Sequence, residues 1–99
     1  FMLVDMKTKI EASRLLTWKS AFEADNGIRN TESAAHAKRF SADTAMEVST
    51  DAVQVFGGYG YSEEYPVARL MRGAKVMQIY EGSSQVQRMI IGREITKDF

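Results

Sequence analysis

Apolar residues recur at Leu3, Met6 and Ile10 and again at Leu15, Trp18 and Phe22. This three-to-four spacing predicts a helix with one buried stripe over residues 1–26, about 39 Å long at about 1.5 Å per residue. Lys7, Lys9, Glu11, Arg14 and Lys19 fall on the wetter side. Gly27 suits the position just past the helix end, where left-handed backbone is needed.

A second helix is predicted over about 31–56. Asn30 and Thr31 are good capping types, and Glu32 sits in the first turn, where a negative charge is favourable. Its inner stripe is small: Ala34, Ala37, Ser41, Ala45, Ser49 and Ala52. Small residues let two helices approach closely. Phe40, Met46, Val48, Val53 and Phe56 flank the stripe, which stops at Gly57-Gly58-Tyr59-Gly60. Pro66 predicts the first turn of a third helix, with Tyr65 held extended before it and Val67, Leu70 and Met71 on its apolar side. Val76–Tyr80 fits either a short strand or a helix end. Gly82 breaks the chain. Ser84 with Gln87 reads as a capping box for a last helix whose face is Val86, Met89, Ile90 and Arg93. The pattern is all-α: two long helices, a glycine turn, a short helix, a broken connection and a final helix.

Composition adds limits. The 99 residues allow one small domain. Lysine plus arginine balance aspartate plus glutamate at 13 each, so there is no electrostatic case for nucleic acid or an anionic membrane surface. Cysteine is absent, which removes disulfides and thiolate chemistry. No apolar run nears the roughly 20 residues that span a bilayer. The chain opens at Phe1-Met2-Leu3-Val4, already inside a periodic segment, and so reads as a fragment whose upstream part is missing.

Three places carry candidate chemistry. His36 is the only histidine and has no metal-ligand spacing around it, so it reads as a helix-packing or surface residue. Gly57-Gly58-Tyr59-Gly60 follows a helix rather than a strand and so is no dinucleotide fingerprint. By spacing it is a helix-ending turn, or else bare backbone that a large ligand can approach. Tyr80-Glu81-Gly82-Ser83-Ser84-Gln85 places a carboxylate between an aromatic residue and a glycine, just before a helix start. Its apolar lead-in favours a shielded carboxylate, and burial raises a carboxyl toward the range of a general base. The free first-turn N–H groups of the following helix could hold an anionic ligand. By spacing alone, however, Glu81 is a glutamate beside a turn, and Arg88 and Arg93 are solvated.

The runs Gln54–Tyr61, Glu64–Val67, Leu70-Met71-Arg72, Ala74-Lys75 and Gln78–Gly82 closely resemble the acyl-CoA dehydrogenase family, in the order the family has them. The match is dense over about 48–93. It is looser over 1–47, where Glu11–Arg14 and Gly27 through Thr31 also fit. The short- and medium-chain members are the most similar. The resemblance implies that residues 1–99 are a partial C-terminal helical domain, of up-and-down four-helix-bundle type, with its first helix largely missing.

The resemblance also implies a function: FAD-dependent dehydrogenation of saturated acyl-CoA thioesters at Cα–Cβ, as in fatty-acid β-oxidation. Glu81 matches the base that removes the α-proton while the β-hydrogen leaves as hydride to the flavin. Its backbone N–H would help hold the thioester carbonyl, the logic of an oxyanion hole. Gln54, Val55, Phe56, Gly57 and Gly58 match the stretch that contacts FAD of a neighbouring subunit, and Ser83 and Gln85 match flavin contacts after the base. Tyr80, Gly82 and Arg93 match substrate-side positions, Arg93 near the CoA moiety. The partners implied are acyl-CoA, an electron-transfer flavoprotein and further copies in a homodimer or homotetramer. The compartment implied is bacterial or archaeal cytoplasm, or else the mitochondrial matrix. Two departures stand out: Gly73 replaces the family's usual aspartate, and Ser83 replaces a common threonine. Two other readings stay open, a non-catalytic helical oligomerisation piece and an acyl-CoA oxidase with the same base.

Overall fold

A computed structural model of the chain describes residues 1–97, and the domain boundary expected at Phe99 lies just outside them. Among the described residues the elements are all helical: α1 (Met2–Asp25), α2 (Thr31–Phe56), α3 (Gly58–Tyr61), α4 (Pro66–Met77) and α5 (Ser84–Thr96). The stretch that fitted either strand or helix resolves as the last turn of α4 and the loop after it.

The helices stand in three columns, 50 Å long and 23 Å across. α2 is the central one. α1 packs on one side of it, and α4 and α5 follow each other along the other side. Contacts fix the directions. Lys9 on α1 pairs with Glu47 on α2, while Asn30 Nδ2 donates to the Ser20 carbonyl at 3.2 Å, so α1 and α2 run antiparallel. Arg29, just before α2, pairs with Glu94 near the end of α5, and Lys38 of α2 donates to the Met77 carbonyl at the end of α4. Both α4 and α5 are therefore also antiparallel to α2, as an up-and-down bundle requires.

Close approach explains the core. Its buried apolar members are Ala35, Ala37, Ala42, Ala68, Ala74 and Ile91, joined by Ser33, Thr44, Ser84 and Gln87. Because α2 is sandwiched, small residues are buried on two of its faces rather than along one stripe.

Several expected faces are rotated. Most of the α1 stripe read as buried is outside: Leu15, Trp18 and Phe22 are each more than 60% exposed, while Met6 of that stripe is half-buried, as are Ser13, Leu16 and Ser20. Asn30 Nδ2 donates to Ser20 O and Oγ from the turn before α2, which fixes the end of α1 against it. In α4, Leu70 is outside, and Val67, Ala68, Met71 and Ala74 pack. In α5, Val86 and Met89 are outside, and the packed row is Ser84, Gln87, Ile91 and Glu94.

The helix ends follow local chemistry. Gly27 (φ 67°) closes α1 in a Schellman arrangement, with Ile28 N–H donating to Glu23 O at 2.8 Å and Gly27 N–H to Ala24 O at 3.3 Å. Tyr65 is extended (φ −111°, ψ 140°) and Pro66 opens α4. Asn30 occupies the cap of α2 without capping it by its side chain, which is used on α1. The last cap is Ser83, one residue earlier than expected: its Oγ accepts from Val86 N–H at 3.3 Å.

Candidate functional site

The joint between α4 and α5 is where the backbone departs most from ordinary geometry. α4 ends at Met77, and Ile79 and Tyr80 fold their N–H groups back onto Val76 O at 2.9 and 3.0 Å. Glu81 then takes φ 54° and Gly82 takes φ 88°. Glu81 is the one non-glycine residue with positive φ among the described residues. A glutamate there costs of order 1–3 kcal/mol and persists only where its surroundings over-determine it.

Those surroundings can be named. Asp43, from the middle of α2, accepts from Gln78 Nε2 and from Ser84 Oγ, both at 2.8 Å and both on Oδ1. One carboxylate oxygen thus ties down both ends of the loop that carries Glu81. Ser84 N–H donates to Gln78 O at 3.1 Å and closes the loop on itself. Gln87 Nε2 donates to Gly82 O at 3.2 Å, and the φ of 88° at residue 82 favours glycine, while an added Cβ would meet the movable end of the Gln87 side chain at 2.5 Å. The Lys38 ammonium caps the end of α4 and lies 5.4 Å from the Tyr80 ring centroid, a cation–π contact. Lys38, Ser41, Ala42, Met77 and Tyr80 line a cleft of about 160 Å³.

Sequence reasoning missed Lys38 and Asp43, and it gave Gln78 and Gln87 other roles. The four come from α2, the loop after α4 and α5, so only the packing of α2 against the joint brings them together. It also misread Ser84, whose hydroxyl serves Asp43 rather than the helix cap.

The predicted site residues fall in three places. Tyr80, Glu81, Gly82, Ser83 and Gln85 share the joint. Glu81 and Tyr80 are exposed there, so the described residues alone do not enclose the carboxylate as its apolar lead-in suggested. Nor are the first-turn N–H groups of α5 all free, because Ser84, Val86 and Gln87 donate theirs to Gln78 O, Ser83 Oγ and Ser83 O.

Gln54, Val55, Phe56, Gly57 and Gly58 lie at the far end of α2, all exposed. Gln54 is eleven residues beyond Asp43, or about 16 Å of helix. Gly57 (φ 66°, ψ −142°) ends α2, and no atom lies within 4 Å of where a Cβ would sit on Gly57 or Gly58, so the backbone there is bare. Arg93 is exposed two turns into α5, away from Glu81. His36 is half-exposed, its Nε2 3.5 Å from Glu32 Oε1 one turn earlier.

Fold and site together define an all-helical domain that presents an acidic loop held in a strained turn. The chain belongs to the acyl-CoA dehydrogenase family: the family model described as acyl-CoA dehydrogenase, C-terminal domain, matches residues 1–96. It is 52% identical over 97 residues to the cyclohexane-1-carbonyl-CoA dehydrogenase of Geobacter metallireducens, covering 98% of this chain and 26% of that protein. It is similar to the solved structure of butyryl-CoA dehydrogenase from Megasphaera elsdenii, with a TM-score of 0.93 and 57% identity over 96% of this chain and 25% of that one. The FAD complex of PigA matches with a TM-score of 0.91 and 26% identity, over 95% of this chain and 24% of that one. The chain thus spans about a quarter of the length of the relatives it matches.

Proposed function

We propose that this chain is the C-terminal helical domain of an FAD-dependent acyl-CoA dehydrogenase that introduces a Cα–Cβ double bond into saturated short- to medium-chain acyl-CoA thioesters. The observation that carries the reading is Glu81 held at φ 54° between clamped helix ends. Strain of that kind is retained where a side chain must be presented in one orientation. The family match and the likeness to a butyryl-CoA dehydrogenase support a saturated acyl-CoA thioester as substrate.

In this reading the Glu81 carboxylate removes the α-proton as a general base. Its backbone N–H donates to the thioester carbonyl, where negative charge develops as the proton leaves. Bound FAD would accept the β-hydrogen as hydride.

The residues present fit a flavin. Gly57 and Gly58 offer open backbone at the end of α2, beside exposed Gln54. Ser83 Oγ accepts from Val86 N–H and keeps its own proton to donate, with exposed Gln85 beside it. These two sets lie at opposite ends of the α2–α4 contact, which suits a flavin shared between two copies of the chain. The working assembly in this reading is a homodimer or homotetramer, with an electron-transfer flavoprotein as the electron acceptor. Tyr80, Gly82 and Arg93 face the substrate side. The bacterial relatives favour a bacterial cytoplasm over a mitochondrial matrix.

Glu81→Gln in the whole enzyme tests the reading. FAD content and thioester binding should stay near those of the parent, while flavin reduction by substrate should fall by about 10²–10⁴-fold, the range a general base contributes. Reduction at close to the parent rate would remove Glu81 from the role of base.

A further inference from the structure

The strain at Glu81 needs a cause elsewhere in the chain, and the hydrogen bonds converge on one atom. Asp43 Oδ1 accepts from Gln78 Nε2 and Ser84 Oγ at 2.8 Å each. Gln78 precedes Glu81 by three residues and Ser84 follows it by three, so the two donors are the hinges of the loop. Asp43 itself sits in mid-α2, the best-braced helix of the fold, packed by α1 on one side and by α4 and α5 on the other. Charge-assisted hydrogen bonds are about twice as strong as neutral ones, and a carboxylate oxygen takes two donors without competition. Lys75 supports the arrangement, its Nζ 3.1 Å from Gln78 Oε1, which orients the amide with its NH₂ toward Asp43.

We propose that Asp43 is a positioning residue for the α-proton abstraction assigned to Glu81. It locks the α4–α5 joint so that the left-handed turn at Glu81 and Gly82 is the only conformation of the loop, and it acts on the reaction only through Glu81. The inference rests on the reading of Glu81 as base. It predicts that the site's precision depends on a residue outside every motif of the loop. A base displaced by even about 1 Å can lose on the order of 10²-fold in rate.

The test uses the whole FAD-loaded enzyme and a thioester with no β-carbon to oxidise, acetyl-CoA, with deuterium uptake at its α-carbon read by mass spectrometry. This reports the base without hydride transfer. Asp43→Ala should slow uptake by about 10–100-fold, with FAD content and acetyl-CoA affinity within about twofold of the parent. Asp43→Asn keeps a carbonyl oxygen for the two donors and should recover to within about fivefold of the parent.

If Asp43→Ala does not fold, the double variant Gln78→Ala/Ser84→Ala removes both donors and leaves Asp43 in place. It should show the same loss. Parent-like uptake in Asp43→Ala, or in that double variant, overturns the proposal, as does a loss in Asp43→Ala that tracks loss of FAD. Glu81→Gln separates the two claims. If it abolishes uptake while Asp43→Ala matches the parent, only the positioning role fails. If Glu81→Gln exchanges as fast as the parent, the base assignment itself falls.

Discussion

Replacing Gly60 by alanine places a methyl where α2 already stands. Gly60 is buried in α3, and a Cβ there would lie 2.5 Å from the Val53 carbonyl oxygen and 2.8 Å from Phe56 Cβ, where ordinary contact begins at 3.4 Å. The residue's own φ is not left-handed, so the cost comes from the neighbours. The nearest is a backbone carbonyl inside the last turns of α2, which cannot rotate away as a side chain would. Relieving the contact takes nearly 1 Å of displacement, and overpacking of this kind costs about 1–3 kcal/mol. α3 begins at Gly58, so the same displacement shifts the bare backbone of Gly57 and Gly58 proposed to meet the flavin. Urea titration followed by helical circular dichroism should show the midpoint falling with an unchanged slope. The whole enzyme should also retain less FAD. The reasoning fails if Gly60→Ala lies within about 0.5 kcal/mol of the parent, the spread of ordinary surface changes, and holds FAD equally well.

Gly73 and Gly92 lie exposed inside α4 and α5, and no atom stands within 4 Å of where an added methyl would sit, so Gly73→Ala and Gly92→Ala should each stabilise the chain by about 0.5–1 kcal/mol in the same titration. The Arg29 guanidinium holds Glu94 below its usual carboxyl range, through hydrogen bonds of 2.6 and 2.9 Å. A depressed folded-state pKa contributes stability that is fully present above the ordinary value of 4.5 and is lost as pH falls through the folded value. Glu94→Gln should therefore flatten the acid limb of a stability–pH curve and leave its slope above pH 6 unchanged; an unaltered acid limb would show that the pair does not matter. Lys38→Met removes the cap on α4 and the cation beside Tyr80, and should raise hydrogen exchange at Ile79 and Tyr80, whose amides bond Val76 O, more than at buried Thr44 in mid-α2.

Legibility in the sequence divides by how local the cause is. Gly27, Pro66 with Tyr65, and the glycine end of α2 were readable because each answers a constraint on its own backbone: positive φ, fixed φ, or an absent Cβ. Helix identity was readable from spacing for the same reason. Facing was not. The apolar row of α1 lies outside, while buried alanines on α2 permit close approach and Asn30 bonds Ser20 at the end of the contact. A hydrophobic period shows that some face is to be covered. It does not show whether this chain or another surface covers it, and the exposed Leu15, Trp18 and Phe22 are the residues on which the two differ.

The site divides in the same way. Glu81 is singled out by its motif, yet nothing in that motif specifies a left-handed glutamate. The sequence Tyr80-Glu81-Gly82-Ser83 would by itself populate right-handed and extended turns at lower cost, since a non-glycine residue in the left-handed region is disfavoured by about 1–2 kcal/mol. What selects the observed turn is non-local. Asp43 lies 38 residues before Glu81 and holds both hinges, while Gln87 closes the Gly82 carbonyl from the other side. The proposed base is thus specified twice. The motif supplies the carboxylate, and Asp43 on α2 ties down both ends of its loop. Variation within the loop should then change what the site does, and variation at Asp43 should change how well the same site does it.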